Sequence, residues 1–263
     1  VRARASPGMS GPLRTPSLRL DGRRALVTGA SRGIGLAAAH AMAQAGAHVV
    51  LAARGQADLQ AACHAIQAEG GQAEAWVLDV TDAAAVRQGM AQRGPFQVLV
   101  NNVGTNRPKP LVEVSDDDLD TVLALNVRAA FVVAREAARV LTAAALPGSF
   151  INVSSQMGHV GSPGRTVYCA TKHALEGLTK ALACELGPQG IRVNSLCPTF
   201  VETDMTRAML RDPTFRQKVL GHIALGRLAS LQDLMGPVLF LASDAAAMVT
   251  GSALLVDGGW TAS

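Results

Sequence analysis

Short apolar runs alternate with longer helical stretches along nearly the whole chain, and this alternation constrains the fold more than any single residue. The runs are RRALVTG, AHVVLAA, QAEAWVLDV, FQVLVNN, SFINVSS, IRVNSLCP and SALLVDG. Several are continuously apolar, the pattern of strands covered on both faces. Between them, residues 34–45, 56–69, 82–92, 115–143, 167–186 and 231–242 read as helices. Strand and helix in succession predict an α/β fold, a single-domain, doubly wound parallel sheet of about seven strands flanked by helices on both faces. A length of 263 residues suits one such domain. The stretch from 200 to 228 holds Pro213, Gly221 and Gly226 and reads as irregular. Following the sixth strand, it is placed to close over a ligand.

Apolar residues make up 49% and aromatics only 3%, so the core must be aliphatic and alanine-rich. No apolar run approaches the ~18 residues that would suggest a membrane span. Arg2, Arg4, Arg14 and Arg19, with no acid among the first 20 residues, account for the whole formal charge of +4. The body is therefore neutral, which argues against a basic groove for nucleic acid. Residues 1–19, rich in Pro, Ser and Gly, read as a disordered basic tail ahead of a folded domain over 20–263. The tail lacks the apolar stretch of a secretory signal, matches a transit peptide poorly, and contains Met9 as an alternative start. Cys63, Cys169, Cys184 and Cys197 show no CxxC or Cys/His spacing. They read as reduced thiols of a cytoplasmic protein, with neither metal site nor disulfide.

The first strand runs into TGASRGIG, in which Thr28, Gly29, Ser31, Arg32, Gly33, Ile34 and Gly35 open a helix. Glycines let the backbone turn tightly against a pyrophosphate, and the helix N-terminus offers free N–H groups. No Lys-Ser/Thr pair follows the last glycine, which disfavours a phosphoryl-transfer loop. A dinucleotide site preferring an unphosphorylated ribose has an acid after the second strand. Here Ala53 and Arg54 stand there. Arg54, joined by Arg32, suits a 2′-phosphate and so NADP(H), with NAD(H) the alternative. Two solvated arginines on loops are the plainer explanation of the same residues.

Tyr168 and Lys172 lie four residues apart in a helical stretch and so share a face. Ser155 ends the fifth apolar run. A phenol, a cation and a hydroxyl beyond a strand end suffice to move a proton alongside a hydride. Each alone has an ordinary structural explanation: packing, a solvated charge, a strand end. Their joint presence with the glycine loop carries the functional reading.

Together these residues resemble the short-chain dehydrogenase/reductase family over about residues 20 to 260. TGASRGIG is similar to its coenzyme loop, Asp79-Val80 to its adenine-contacting pair, and NNVG, with Asn102 and Gly104, to its NNAG turn. LNV places Asn126 at a characteristic helix position, and Ser155 lies thirteen residues before Tyr168. Pro198-Thr199 departs from the usual Pro-Gly, while Thr203 matches the residue that holds the nicotinamide carboxamide. The resemblance implies Tyr168 as general acid and base, Lys172 as the charge that favours its ionisation and holds the nicotinamide ribose, and Ser155 as hydrogen-bond donor to the substrate oxygen. It further implies that Asn126 holds a water linking Lys172 to solvent. It implies a homotetramer or homodimer packed through helices near 115–143 and 167–186 and the C-terminal strand region.

Asn106, Arg107, Gln156, His159 and Arg165 are the polar residues expected around the pocket. They suggest a small ketone or secondary alcohol of polyol, sugar-acid or 3-oxo-acid type, although loop residues are polar in general. A 3-oxoacyl thioester reductase is the nearest alternative, and a catalytically inactive nucleotide-binding scaffold is the alternative of another class.

Overall fold

The computed structural model describes residues 13–262. Most of the expected tail, residues 1–12, lies outside the described residues. Residues 13–19 carry no helix or strand and are exposed. The end of this stretch is held: Arg19 pairs with Asp21 at 2.5 Å and donates to the Gln44 carbonyl at 3.2 Å.

All seven apolar runs are strands: β1 (Arg24–Thr28), β2 (His48–Ala53), β3 (Gln72–Val77), β4 (Val98–Asn101), β5 (Gly148–Val153), β6 (Ile191–Pro198) and β7 (Ala253–Val256). They form one seven-stranded sheet in the order β3-β2-β1-β4-β5-β6-β7, every pair parallel. The register pairs Thr28 with Ala52 and Val153 with Leu196, so the strand ends that carry the motifs lie along one edge. Chain direction across the sheet reverses between β1 and β4, the switch point where such sheets open a crevice.

The helices are α1 (Gly33–Gln44), α2 (Gln56–Ala68), α3 (Ala83–Arg93), α4 (Asp116–Leu123), α5 (Ala129–Ala143), α6 (Thr166–Leu186), α7 (Asp204–Leu210), α8 (Pro213–His222) and α9 (Gln232–Ala242). Their starts follow local chemistry. Asp82 caps α3 by accepting from the Ala84 and Ala85 amides, and Ser115 forms a reciprocal capping box with Asp118 at α4. Helices α1, α2 and α9 bury Met42, Leu59, Ile66 and Leu241 against one sheet face. Helices α3, α5 and α6 bury Met90, Leu141 and Leu186 against the other. Small side chains set these contacts: α1 alone buries Ala37, Ala38, Ala39, Ala41 and Ala43.

Two expectations change. The helix read over 115–143 is interrupted by a π turn at Ala124–Arg128, a distortion invisible to a hydrophobic pattern that continues through it. The stretch 200–228, read as irregular, contains α7 and α8. Asp212 caps α8 through the Thr214 amide, with Pro213 at its first position, a start signal obscured by reading the proline as a breaker. Among the described residues no helix is long and apolar enough to cross a membrane.

Candidate active site

Beyond β1 the chain turns through Gly29 (φ +65°) and Gly33 (φ +58°), left-handed conformations that favour glycine. Gly35 is fixed by closeness instead: a Cβ there would stand 2.4 Å from the Gly29 oxygen and 2.5 Å from Asn102 Nδ2. Asn102 staples the end of β4 to this loop, donating through Nδ2 to the Thr28 and Gly29 carbonyls at 3.0 and 3.1 Å. Its backbone N–H donates to Thr28 Oγ1 at 3.0 Å. Helix α1 has no side-chain cap and no acid in its first turn, leaving backbone N–H groups and a positive dipole end for an anion. Arg32, at its N-cap, and Arg54, just past β2, are both exposed. Ser31 is half-buried in the same loop, and Ile34 packs onto the core beneath it.

Past β3, Asp79 is exposed and Val80 buried. The Thr81 amide and hydroxyl donate to Asp79 Oδ1 at 2.9 and 2.7 Å and hold its carboxyl below the ordinary value. The loop, the two arginines and the Asp79-Val80 turn thus fit a phosphorylated dinucleotide laid across the switch point.

Ser155, just past β5, donates to Gln156 Oε1 at 2.6 Å and accepts from the Met157 amide at 3.1 Å. Tyr168 stands in the first turn of α6 and Lys172 one turn later. The Lys172 ammonium donates to the Val153 carbonyl at 2.9 Å and lies 5.4 Å from the centre of the Tyr168 ring. Gly104 borders this group: a Cβ there would stand 3.7 Å from Lys172 Nζ and 3.3 Å from Asn126 Oδ1. Asn126 is buried in the π turn, and both its amide protons are used, on the Thr105 carbonyl at 2.9 Å and Thr171 Oγ1 at 3.0 Å. Its Oδ1 accepts from the Thr105 amide at 2.8 Å. The side chain therefore locks the loop after β4 to α6, and what it has left for a water is carbonyl oxygen.

Burial pushes the Lys172 ammonium down to about 8, against the Glu176 charge that pulls it up. Burial pushes the Tyr168 phenol above its ordinary value, while the Ser155 hydroxyl and the Arg165 guanidinium pull it back. Lys172 is the cation expected to act on the phenol; in the fold the charge that pulls it down is that of Arg165, from the N-cap of α6.

Ser155, Tyr168 and Arg165 open into a cleft of about 400 Å³, part of it open to solvent. Ser155, Tyr168, Asn106, Gln156 and Arg165 line it, together with Met205 and Met209 from α7. Arg107 is committed elsewhere, to Asp117 at 2.8 Å and Asp118 at 2.9 Å. His159 turns toward Glu176, 3.8 Å away. Pro198 ends β6, and after it Thr199 lines the cleft with a buried hydroxyl that has no hydrogen-bond partner among the described residues. Thr203 lies against the glycine loop, its Cγ2 3.7 Å from where a Gly33 Cβ would be.

The sequence marked Thr28 in the loop, Gln156 near the pocket and Thr199 after β6, but gave no signal for the hydrogen bonds they make or lack, which depend on neighbours distant along the chain or on rotamer. It also gave none for the cluster of His159, Glu176 and Cys197, whose polar atoms lie within 4.8 Å of one another. Glu176 there accepts from Ser195 Oγ at 2.7 Å and the Cys197 thiol at 3.4 Å. Burial and the Glu176 charge push that thiol up to about 12, so in this network it serves Glu176 as a hydrogen-bond donor.

The family model described as Enoyl-(Acyl carrier protein) reductase matches residues 29–261. The chain is 43% identical to L-xylulose reductase of Bos taurus, over 93% of this chain and 99% of that protein. It is 40% identical to gluconate 5-dehydrogenase of Gluconobacter oxydans, over 93% of this chain and 96% of that protein. The crystal structure of a gluconate 5-dehydrogenase from Burkholderia cenocepacia J2315, in complex with NADP and tartrate, superposes with a TM-score of 0.90 at 36% identity, over 94% of this chain and 98% of that one. A single parallel sheet with a glycine loop at its switch point, a serine past β5 and a Tyr/Lys pair on α6 accord with these likenesses, and the chain belongs to the short-chain dehydrogenase/reductase family.

Proposed function

We propose that the protein is an NADP(H)-dependent oxidoreductase interconverting a ketone and a secondary alcohol on a polyol or sugar acid. The observation that carries this is a cleft lined by Ser155 and Tyr168, with the Lys172 ammonium 5.4 Å from the centre of the Tyr168 ring and the glycine loop stapled to the end of β4 by Asn102. The relatives support it, being named as reductases and dehydrogenases of small polyhydroxylated molecules. The neighbour that holds NADP supports the cofactor, as do exposed Arg32 and Arg54 where no carboxylate stands after β2.

When bound, NADP(H) supplies or accepts the hydride. Tyr168 gives its phenolic proton to the carbonyl oxygen in reduction and takes it from the alcohol in oxidation. Ser155 donates to that same oxygen, on which negative charge grows as the carbon is reduced. Lys172 orients the nicotinamide ribose and, with Arg165, favours the ionised phenol. Asn126 fixes the loop of Gly104 and Thr105 against α6 and offers carbonyl oxygen to a water on the proton path. Gly29, Ser31, Gly33, Ile34 and Gly35 would hold the pyrophosphate, Arg54 with Arg32 the 2′-phosphate, Asp79 and Val80 the adenine, and Asn102 and Gly104 would border the cofactor between the glycine loop and Lys172. Pro198 and Thr203 would hold the carboxamide.

The test is a panel of oxo sugar acids, ketoses, polyols and 3-oxoacyl thioesters, followed through NADPH absorbance. Turnover of a polyhydroxylated substrate is the expected result, and turnover of the thioester alone would favour the second reading, a 3-oxoacyl thioester reductase. The proposed setting is the cytoplasm. The proposed assembly is a homotetramer or homodimer, supported by Leu119, Leu123 and Phe131 exposed along α4 and α5. Light scattering that returns a monomer would reject it.

A further inference from the structure

Arg165 is the N-cap residue of α6, three before Tyr168, and only 7% of it is exposed. Among the described residues no carboxylate pairs with it. Its Nη2 donates to the Met209 sulfur at 3.1 Å, and its guanidinium carbon lies 5.7 Å from the centre of the Phe200 ring. A thioether and a ring face are weak partners for a cation taken out of water. The arginine nonetheless lines the cleft shared by Ser155 and Tyr168, and no Asp or Glu does. The same wall carries the unpaired Thr199 hydroxyl. The reacting group therefore sits beside a buried positive charge and a spare hydroxyl, both lacking strong partners within the chain.

We infer that Arg165 determines specificity by holding a carboxylate of the substrate, so that the reacting ketone or alcohol belongs to a sugar acid and not to a neutral ketose or polyol. This rests on the oxidoreductase reading above and narrows its substrate class. One planar guanidinium matches one carboxylate through paired N–H donors. A phosphate dianion would bring a second negative charge for which the cleft has no second cation. Thr199 supplies a donor to a substrate hydroxyl or to the second face of the carboxylate.

The experiment compares an oxo sugar acid, the neutral ketose of the same chain length and its phosphate ester, each with NADPH. Wild type is expected to favour the acid over the ketose in kcat/KM by about 30-fold. Arg165→Gln is expected to bring that ratio near unity, and Arg165→Lys to keep part of it. A loss of packing, or of the charge that assists Tyr168, would slow both substrates together and leave the ratio unchanged. A wild-type preference for the ketose or the phosphate ester, or a ratio that survives Arg165→Gln, overturns the inference. A binding measurement stands beside this. With NADP⁺ present, tartrate is expected to raise the unfolding midpoint of the wild type where threitol does not, and Arg165→Gln is expected to lose the shift. An equal response to tartrate and threitol in wild type counts against the carboxylate site even where the variant does not fold. If none of the three substrates turns over, the oxidoreductase reading for them fails, and the tartrate shift with its dependence on Arg165 decides the site by itself.

Discussion

The nucleotide end and the substrate cleft lie along the same edge of the sheet but are built from different material. The first is backbone. Gly29 and Gly33 take positive φ, Gly35 leaves no room for a Cβ, and α1 begins without a side-chain cap. The second is side chains from separate elements: Ser155 after β5, Arg165 and Tyr168 at the start of α6, Thr199 after β6, Met205 and Met209 from α7. Backbone shape is dictated by a few adjacent residues, so one short motif specifies it. A side-chain cleft depends on which distant segments the fold brings together, so it can change its substrate without changing its frame.

That contrast can be broken by substitution. Gly35→Val inserts branched carbon where a Cβ already meets the Gly29 oxygen at 2.4 Å. It should weaken NADPH binding by about 100-fold or more, read by fluorescence titration. Binding near wild-type strength would show that the loop is not backbone-limited. Ser155→Ala should leave NADPH binding close to wild type and lower kcat by about 100-fold, because its donor acts on the substrate oxygen. A cofactor defect as large as the kcat defect would erase the distinction between the two regions. Arg54→Ala should shift the NADPH-to-NADH preference by about tenfold through its charge on the 2′-phosphate. An unchanged ratio removes Arg54 from the cofactor site.

A smaller effect concerns pH. The folded Lys172 is held down to about 8 from an ordinary 10.5, so above pH 8 the unfolded chain binds the extra proton and stability rises with pH. Cys197, pushed up to about 12 from 9.0, and Tyr168, raised from 10.0, oppose this from about pH 9 upward. Between about pH 8 and 9, wild type should therefore gain up to about 1 kcal/mol that Lys172→Met does not. Urea unfolding across that interval checks it, and equal slopes for the two proteins would place Lys172 in a wetter setting than its burial indicates.

The sequence carried the seven strands because continuously apolar runs between helical stretches have few other uses in a chain of this length. It carried Gly29, Gly33, Gly35 and the Tyr168/Lys172 pair because each reads from neighbours in the chain. It could not carry the π turn at Asn126, since a single extra residue in a helix leaves the hydrophobic pattern nearly intact. Nor could it rank the polar residues around the pocket. Arg107 and Arg165 look alike in sequence, yet Asp117 and Asp118 neutralise the first, while the second meets only Met209 and Phe200. Which arginine finds an acid is decided by tertiary packing, and so is the partnerless hydroxyl of Thr199.

The most direct measurement is the rate of hydride transfer from NADPH in Tyr168→Phe, on the best substrate of the panel. The variant keeps the ring and loses the proton. The rate should fall by about 1,000-fold while the unfolding midpoint stays within about 2 °C of wild type. A well-folded variant that retains most of the wild-type rate would contradict proton transfer by Tyr168 and the account built on it.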